Sequence, residues 1–261
     1  VPPYRVDVTR EADVIEEILR IYGYNNIPLE ENYGTDYLAA FPSPDNDKVQ
    51  AKTIDFLAAQ GFNEIISNSL TNPDYLEKSG MWEPSLSVEV LNKLSEELGV
   101  MRQTMIFTGL ESLRYNINRK QSNLKFFEFG RTYTHKDGKY NEQERLALFL
   151  TGSQKEESWN VDKKSIDFYD ISSTVHKILD KFSVAEFDSV PTDHPAFEYG
   201  LDISKDGQML VSFGKINQKV LKVVDVSQDV FYAEFHWAGM LKLYGQKIIY
   251  KPVPKFPEVR R

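Results

Sequence analysis

The 261-residue sequence contains no cysteine. A disulfide framework and a thiolate zinc site are therefore both excluded. Histidine is almost as scarce. His135, His176, His194 and His236 are the only four, and no two stand four apart, the spacing a helix-borne zinc pair needs. Each lone His reads as structural. Asp193-His194 has the look of an orienter beside a base, but no nucleophile motif accompanies it. Glycine is sparse at 14 residues, and the phosphate cradles G-x-G-x-x-G and G-x-x-x-x-G-K-[ST] are missing, as is the elbow G-x-S-x-G. No apolar run approaches the roughly 20 residues of a membrane helix, and no signal-peptide pattern opens the chain. A cytoplasmic protein is the simplest expectation. Positive charge is also short. With 31 Lys and Arg against 39 Asp and Glu, the net charge of −8 argues against a broad nucleic-acid-binding face. A local exception lies at 237–261, where Lys242, Lys247, Lys251, Lys255, Arg260 and Arg261 face Glu258 alone.

Apolar and aromatic residues are plentiful. Hydrophobic residues make up 41% of the chain, with 16 Phe, 14 Tyr and 3 Trp, enough core for one large domain or two small ones. Acidic residues are concentrated near the start. In "RVDVTREADVIEEILRIYGYNNIP", residues 5–28, the carboxylates Asp7, Asp13, Glu16 and Glu17 crowd beside an apolar arc of Val14, Ile15, Ile18, Leu19, Ile21 and Tyr22. Like charges one turn apart cost a helix little. Arg20 follows Glu16 by four positions and Glu17 by three, and acids in a first turn suit the helix dipole. Physics alone favours a solvated face. The competing reading is a cation held by oxygen ligands only, which points to Mg²⁺ or Ca²⁺.

Periodicity sets out the elements. "YRVDV" alternates as a strand does. The acidic helix follows, capped by Thr9 or by Asp13 with Glu16 three residues on, and Gly23 stops it. A helix is expected over 47–60, with a buried stripe of Val49, Thr53, Phe56 and Leu57. Strands are expected at 62–70 and at "SVEVLN" (87–92), with a short Asn72-Pro73 helix between them. A helix over 104–119 leads into strands at 124–135 and 145–152. A helix over 170–182, a hairpin around "KDG", a short helix at 217–224, the strand "VFYAEFH" and the helix "WAGMLKLY" complete the body. Hairpins and single helices without regular βαβ alternation predict an α+β fold, a mainly antiparallel sheet flanked by helices. Both ends, Val-Pro-Pro and "KFPEVRR", read as cuts inside a longer polypeptide.

Three segments resemble one family. "VPPYRVDVTREADVIEEILRIYGYNNIP" is similar to the close of the small domain that precedes the core of the bacterial phenylalanyl-tRNA synthetase beta subunit: an Arg-x-Asp strand, Asp-x-Ile-Glu-Glu on a helix, then Ile-Tyr-Gly-Tyr-Asn-Asn-Ile-Pro. "MRQTMIFTGLESLRYNINRKQSNLKFFEFGRTY" resembles its Arg-x-Ser-Leu-x-Pro-Gly-Leu-Leu helix, Asn-x-x-Arg and Phe-Glu-x-Gly-Arg strand, with Thr104 and Thr108 in place of the usual Ser and Pro. "SWNVDKKSIDFYDISSTVHKIL" resembles its Trp-Asn and Asp-Phe-Tyr-Asp segment, with Ser172-Ser173 where Lys-Gly is usual. "DHPAFEYGLDI" is a weaker likeness, departing at Ala196 and Phe197.

The resemblance implies a class II aminoacyl-tRNA synthetase-like core at 47–250. The end of a small domain (1–28) and a linker (29–46) would precede it, and the start of a ferredoxin-like anticodon-binding domain (251–261) would follow. It implies that Asp7, Asp13, Glu16 and Glu17 hold a Mg²⁺ shared with an alpha subunit. The helix at 47–60 would be the dimer-forming first motif, with Phe56 and Leu57 at an interface. The strand 124–133 would be the second motif. There Phe126 stands where an Arg two residues before Glu128 would bind ATP phosphate. The Gly-rich third motif ending in Glu-Arg is missing from 210–245. A triphosphate site needs cations, so the core is expected to be catalytic-like but non-catalytic, with no catalytic and no cofactor-binding residue of its own. ATP would bind only at the alpha subunit, in a two-alpha, two-beta ligase that joins phenylalanine to tRNA(Phe). The competing class is a stand-alone metal-dependent hydrolase built on the same four carboxylates. It requires a base and a substrate pocket beside them, and the sequence holds no second acidic or His cluster. A pure RNA-binding module is disfavoured by the net charge.

Overall fold

The computed structural model describes residues 1–28, 44–93, 95–155, 158–160 and 162–245. The chain divides into two units, Val1–Pro42 and Ser43–Arg261. Most of the expected linker and all of 251–261 lie outside the described residues.

In the first unit, helix α1 spans Glu11–Tyr22 and ends at Gly23, whose φ of 95° continues no helix. The Asp13 carboxylate caps its start by accepting from the backbone N–H of Arg10 at 2.8 Å and of Thr9 at 2.9 Å. The expected strand at 4–8 is a pair of turns instead, the Arg5 N–H donating to the Pro2 carbonyl at 3.0 Å. Alternation assigns faces to a segment, but a strand also needs a neighbour for its backbone groups, and none of the described residues supplies one.

The second unit is built on a seven-stranded sheet. Its strands are β1 (Asn63–Glu64), β4 (Leu124–Lys136), β5 (Lys139–Thr151), β6 (Asp188–Pro191), β7 (Phe197–Lys205), β8 (Gln208–Ile216) and β9 (Val230–His236). The order is β1-β4-β5-β9-β8-β7-β6, with only β1–β4 parallel. A two-stranded ribbon, β2 (Leu70–Thr71) with β3 (Val100–Met101), lies apart. Alternation along β9 divides its side chains between two cores. Phe231, Ala233 and Phe235 face one layer, and Val230 and Tyr232 the other. The first core packs under α2 (Asn46–Ala59), α5 (Phe168–Lys181) and α7 (Trp237–Leu243), through Val49, Leu57, Val175, Ile178 and Trp237. The second packs under α3 (Asp74–Ser79), α4 (Ile106–Ile117) and α6 (Gln218–Val223), through Leu76, Phe107, Leu110 and Leu221. This is the expected α+β fold.

Several expectations are corrected. Leu57 is completely buried in its own core and is not available to a partner, whereas Phe56 is partly buried with the Lys181 ammonium 5.2 Å from its ring. Within 62–70 only Asn63 and Glu64 pair with β4. The chain then leaves the sheet as the Ser67 N–H and hydroxyl donate to the Glu128 carboxylate at 3.2 and 2.6 Å. Segment 87–92 makes only an isolated bridge from Glu89 to Val100. Strand β6 was not foreseen, because Asp-Ser-Val-Pro carries no alternation signal.

Candidate functional site

The four predicted ligands lie in the first unit, and an arginine meets each of them. Arg5 chelates Asp7, with Nε to Oδ1 at 3.0 Å and Nη2 to Oδ2 at 2.8 Å, and Nη2 also reaches Glu17 at 2.7 Å. Arg20 lies 3.4 Å from Glu16 and 3.5 Å from Glu17. Asp13 caps the helix and meets Arg10 at 3.3 Å. The Arg5 guanidinium draws the Asp7 carboxyl down to about 2, and the backbone donors of Arg10 and Thr9 lower Asp13. Among the described residues no three His, Cys, Asp or Glu form a group able to hold a metal ion. The donor chemistry, carboxylates only, suits a hard cation such as Mg²⁺. As placed, these carboxylates take their positive charge from this chain's arginines. Such solvent-facing pairs are weak and exchangeable.

In the second unit, the residues at the second-motif positions face the α4 side of the sheet. Phe126 is buried in the second core. Glu128 is 2% exposed and pairs with the 3% exposed Arg102 at 2.9 Å. Arg102 also donates to the Ser67 hydroxyl at 2.8 Å and to the Arg131 carbonyl at 2.9 Å. Gly130 makes room for this crossing, since a Cβ there would collide with the Arg102 guanidinium.

Register then brings a polar cluster onto the same face. Ala147 of β5 opposes Glu128 and Glu234, Glu234 opposes Ser212, and Ser212 opposes Asp202. Arg145 opposes His236 and hydrogen bonds to its Nδ1, to the Gln143 amide oxygen and to the Thr132 hydroxyl at 3.3 Å. It lies 3.5 Å from Glu234, which accepts a hydrogen bond from the Tyr232 hydroxyl at 2.5 Å. Burial, then the charge of Arg145, pushes His236 down to about 4. Burial also lowers His194 and raises Tyr232.

His194 does not form a dyad with Asp193. Its Nδ1 accepts from the Ala196 N–H at 3.1 Å, and its ring lies 5.5 Å from that of Trp82. His176 donates to its own helix at the Ser172 carbonyl, 2.7 Å away, and His135 stacks on Tyr140. Sequence reasoning missed the Arg102–Glu128 pair and the Arg145–Glu234–His236 cluster. Their one signal is charge inside apolar strands, at Glu128 in "FFEFG" and Glu234 in "YAEFH".

Comparison with known proteins bears on what this face belongs to. The phenylalanyl tRNA synthetase beta chain CLM domain family matches residues 39–237, and the tRNA synthetase B5 domain family matches residues 1–24. A phenylalanine–tRNA ligase beta subunit of Bacteroides thetaiotaomicron is 38% identical, the match covering 100% of this chain and 33% of that protein. The corresponding subunit of Porphyromonas gingivalis is 32% identical over 100% of this chain and 34% of its own length. The chain thus spans about a third of the length of these curated relatives. Among solved structures, pyrrolysyl-tRNA synthetase from Desulfitobacterium hafniense matches with a TM-score of 0.60 at 14% identity, covering 89% of this chain and 76% of that one. That likeness places the fold with the class II synthetases. The chain belongs to the phenylalanyl-tRNA synthetase beta-chain family, with the CLM domain at 39–237 and a B5 segment at 1–24.

Proposed function

We propose that this chain is a non-catalytic structural core through which a beta subunit assembles with an alpha subunit, and that the alpha subunit charges tRNA(Phe) with phenylalanine using ATP. The buried Arg102–Glu128 pair carries the reading. A triphosphate needs uncommitted cations. On this face Arg102 is neutralised by Glu128, Arg145 is held by Glu234 and Gln143, and the position two residues before Glu128 is an apolar phenylalanine. ATP then belongs to the alpha subunit alone, in a cytoplasmic two-alpha, two-beta assembly in which the beta core also helps position tRNA. The layout that goes with this reading is a small-domain end at 1–28, a linker at 29–46, the core at 47–250 and a further domain starting at 251.

The same reading assigns Mg²⁺ to Asp7, Asp13, Glu16 and Glu17, shared with the alpha subunit. A bound cation would supply the positive charge that lets these carboxylates meet another chain, displacing Arg5 and Arg20. The stand-alone hydrolase finds no support, since the matched relatives are phenylalanine–tRNA ligase beta subunits. Co-purification of the full-length beta polypeptide with its alpha subunit tests the proposal. Asp13→Asn with Glu17→Gln is expected to lower the metal content of the complex severalfold and to weaken assembly in chelator. Unchanged assembly and metal content would remove the shared ion from the account.

A further inference from the structure

A cavity of about 440 Å³ opens at the end of the sheet where β4 begins, β5 ends and β9 begins. Its wall carries Ser122, Asn123, Ser153, Ser165, Lys155 and Lys163. The fold fixes the frame. The Asn123 Oδ1 accepts from the Ser153 N–H at 2.9 Å, and the Ile166 N–H donates to the Gly152 carbonyl at 2.9 Å. A Cβ at Gly152 would collide with the Ser122 carbonyl, so glycine lets the two loops close on each other. Gln228 spans a third side, its amide donating to the Ser122 carbonyl at 2.9 Å and to the Thr151 hydroxyl at 2.6 Å.

The groups left over in this cavity are donors. The hydroxyls of Ser122, Ser153 and Ser165 and the amide nitrogen of Asn123 have no partner among the described residues, and Lys155 and Lys163 make no ion pair there. The carboxylate that lines the cavity, Asp229, is committed elsewhere: Lys215 meets it at 3.1 Å and the Gln218 amide donates to it at 3.1 Å. Cations with hydroxyl and amide donors suit a phosphate group, which takes its contacts from Lys, Ser and Asn side chains.

The positive charge extends past a single phosphate. Residues 114–125 carry Arg114, Arg119, Lys120 and Lys125 and no carboxylate. Residues 215–224 carry Lys215, Lys219 and Lys222 and no carboxylate either, in a chain whose net charge is −8. The fold sets these two runs side by side. The Arg114 guanidinium donates to the Val224 carbonyl at 3.3 Å, and Gln218 and Gln228 tie α6 and the start of β9 to the cavity. Arg119, Lys120, Lys219 and Lys222 are exposed, and none makes an ion pair among the described residues. The Arg119 guanidinium lies 3.4 Å over the exposed ring of Tyr115. A line of cations beside an arginine-covered ring is a surface suited to a nucleic-acid strand. A free phosphate would use the cavity alone and leave this track without a role.

We propose that this end of the sheet binds the phosphodiester backbone of RNA, with one phosphate in the cavity between Lys155 and Lys163 and the strand running over Arg119, Lys120, Lys219 and Lys222. The site deepens the reading that the beta core helps position tRNA, and rests on it.

The test uses the full-length beta polypeptide assembled with its alpha subunit, and tRNA(Phe) as the probe. Lys219→Glu with Lys222→Glu changes exposed side chains of α6, and Lys155→Gln with Lys163→Gln changes the cavity. Filter binding at physiological salt should show each pair weakening tRNA(Phe) binding at least threefold. The slope of log affinity against log salt should become shallower by about 1 in the cavity variant, for the one phosphate released. Lys219→Arg with Lys222→Arg should keep wild-type affinity, which separates charge from packing. Size-exclusion chromatography reports assembly with alpha separately. Failure of the scaffold reading shows as a lost complex, and failure of this site as an intact complex with unaltered tRNA binding. Unchanged affinity and slope in both variants would overturn the proposal. So would calorimetric binding of inorganic phosphate that the cavity variant abolishes while its tRNA(Phe) affinity stays the same, since the cavity would then serve a free anion.

Discussion

Arg102 and Glu128 are an ion pair with almost no contact with water, at 3% and 2% exposure. Such a pair adds little net stability, but removing one partner strands a buried charge, at about 3–5 kcal/mol. Arg102→Met is therefore expected to lower the unfolding free energy by about that amount. In a double-mutant cycle, Arg102→Met with Glu128→Leu should recover a large part of the loss, measured by urea denaturation. His236 gives a second residue-scale prediction. Burial and Arg145 hold it at about 4 in the folded chain, against 6.5 when unperturbed. Between those values the unfolded chain binds a proton and the folded chain does not. Stability is thus fully present above pH 6.5 and is lost as pH falls toward 4, by an amount on the order of 3 kcal/mol. His236→Gln should flatten this part of the pH–stability curve relative to wild type, and an unchanged difference curve would show that His236 does not titrate as described.

At the scale of elements, α4 meets the sheet at Gly109, where a Cβ would run into the Phe149 ring. Gly109→Ala is expected to cost about 1–3 kcal/mol by overpacking, seen as a lowered Tm, although alanine favours the helix itself. Much of the element order was legible in the sequence because its signals are local. The Asp206-Gly207 turn, with positive φ at both residues, was legible as the β7–β8 hairpin, whereas the like turn at Asp137-Gly138 that closes β4–β5 was not read. Helices α2 and α5 were legible as helices, and the structure adds their caps, Asp45 and Asp167 accepting from Lys48 and Tyr169. Segments 4–8 and 87–92 were over-read for one shared reason, since their alternation carried no information about a partner strand. The polar cluster was illegible because Arg145 and His236 stand 91 positions apart and meet only through the β5–β9 register.

For the whole molecule, family and fold converge. The family match covers most of the chain, and the seven-stranded, mainly antiparallel sheet has the fold of the class II synthetases. The carboxylates Asp7, Asp13, Glu16 and Glu17 and the Arg20 beside two of them were legible in the sequence, but not the pairing of Arg5 and Arg10. Arg5 reaches Glu17 across a turn that periodicity had assigned to a strand. The central claim is that a synthetase-like face has spent its positive groups on its own carboxylates and serves as scaffold. Phenylalanine-dependent ATP–pyrophosphate exchange tests this most directly, measured on the purified beta polypeptide with and without the alpha subunit. Exchange only when alpha is present is the predicted result. Exchange by the beta polypeptide alone, or tight ATP binding to it, would contradict the account.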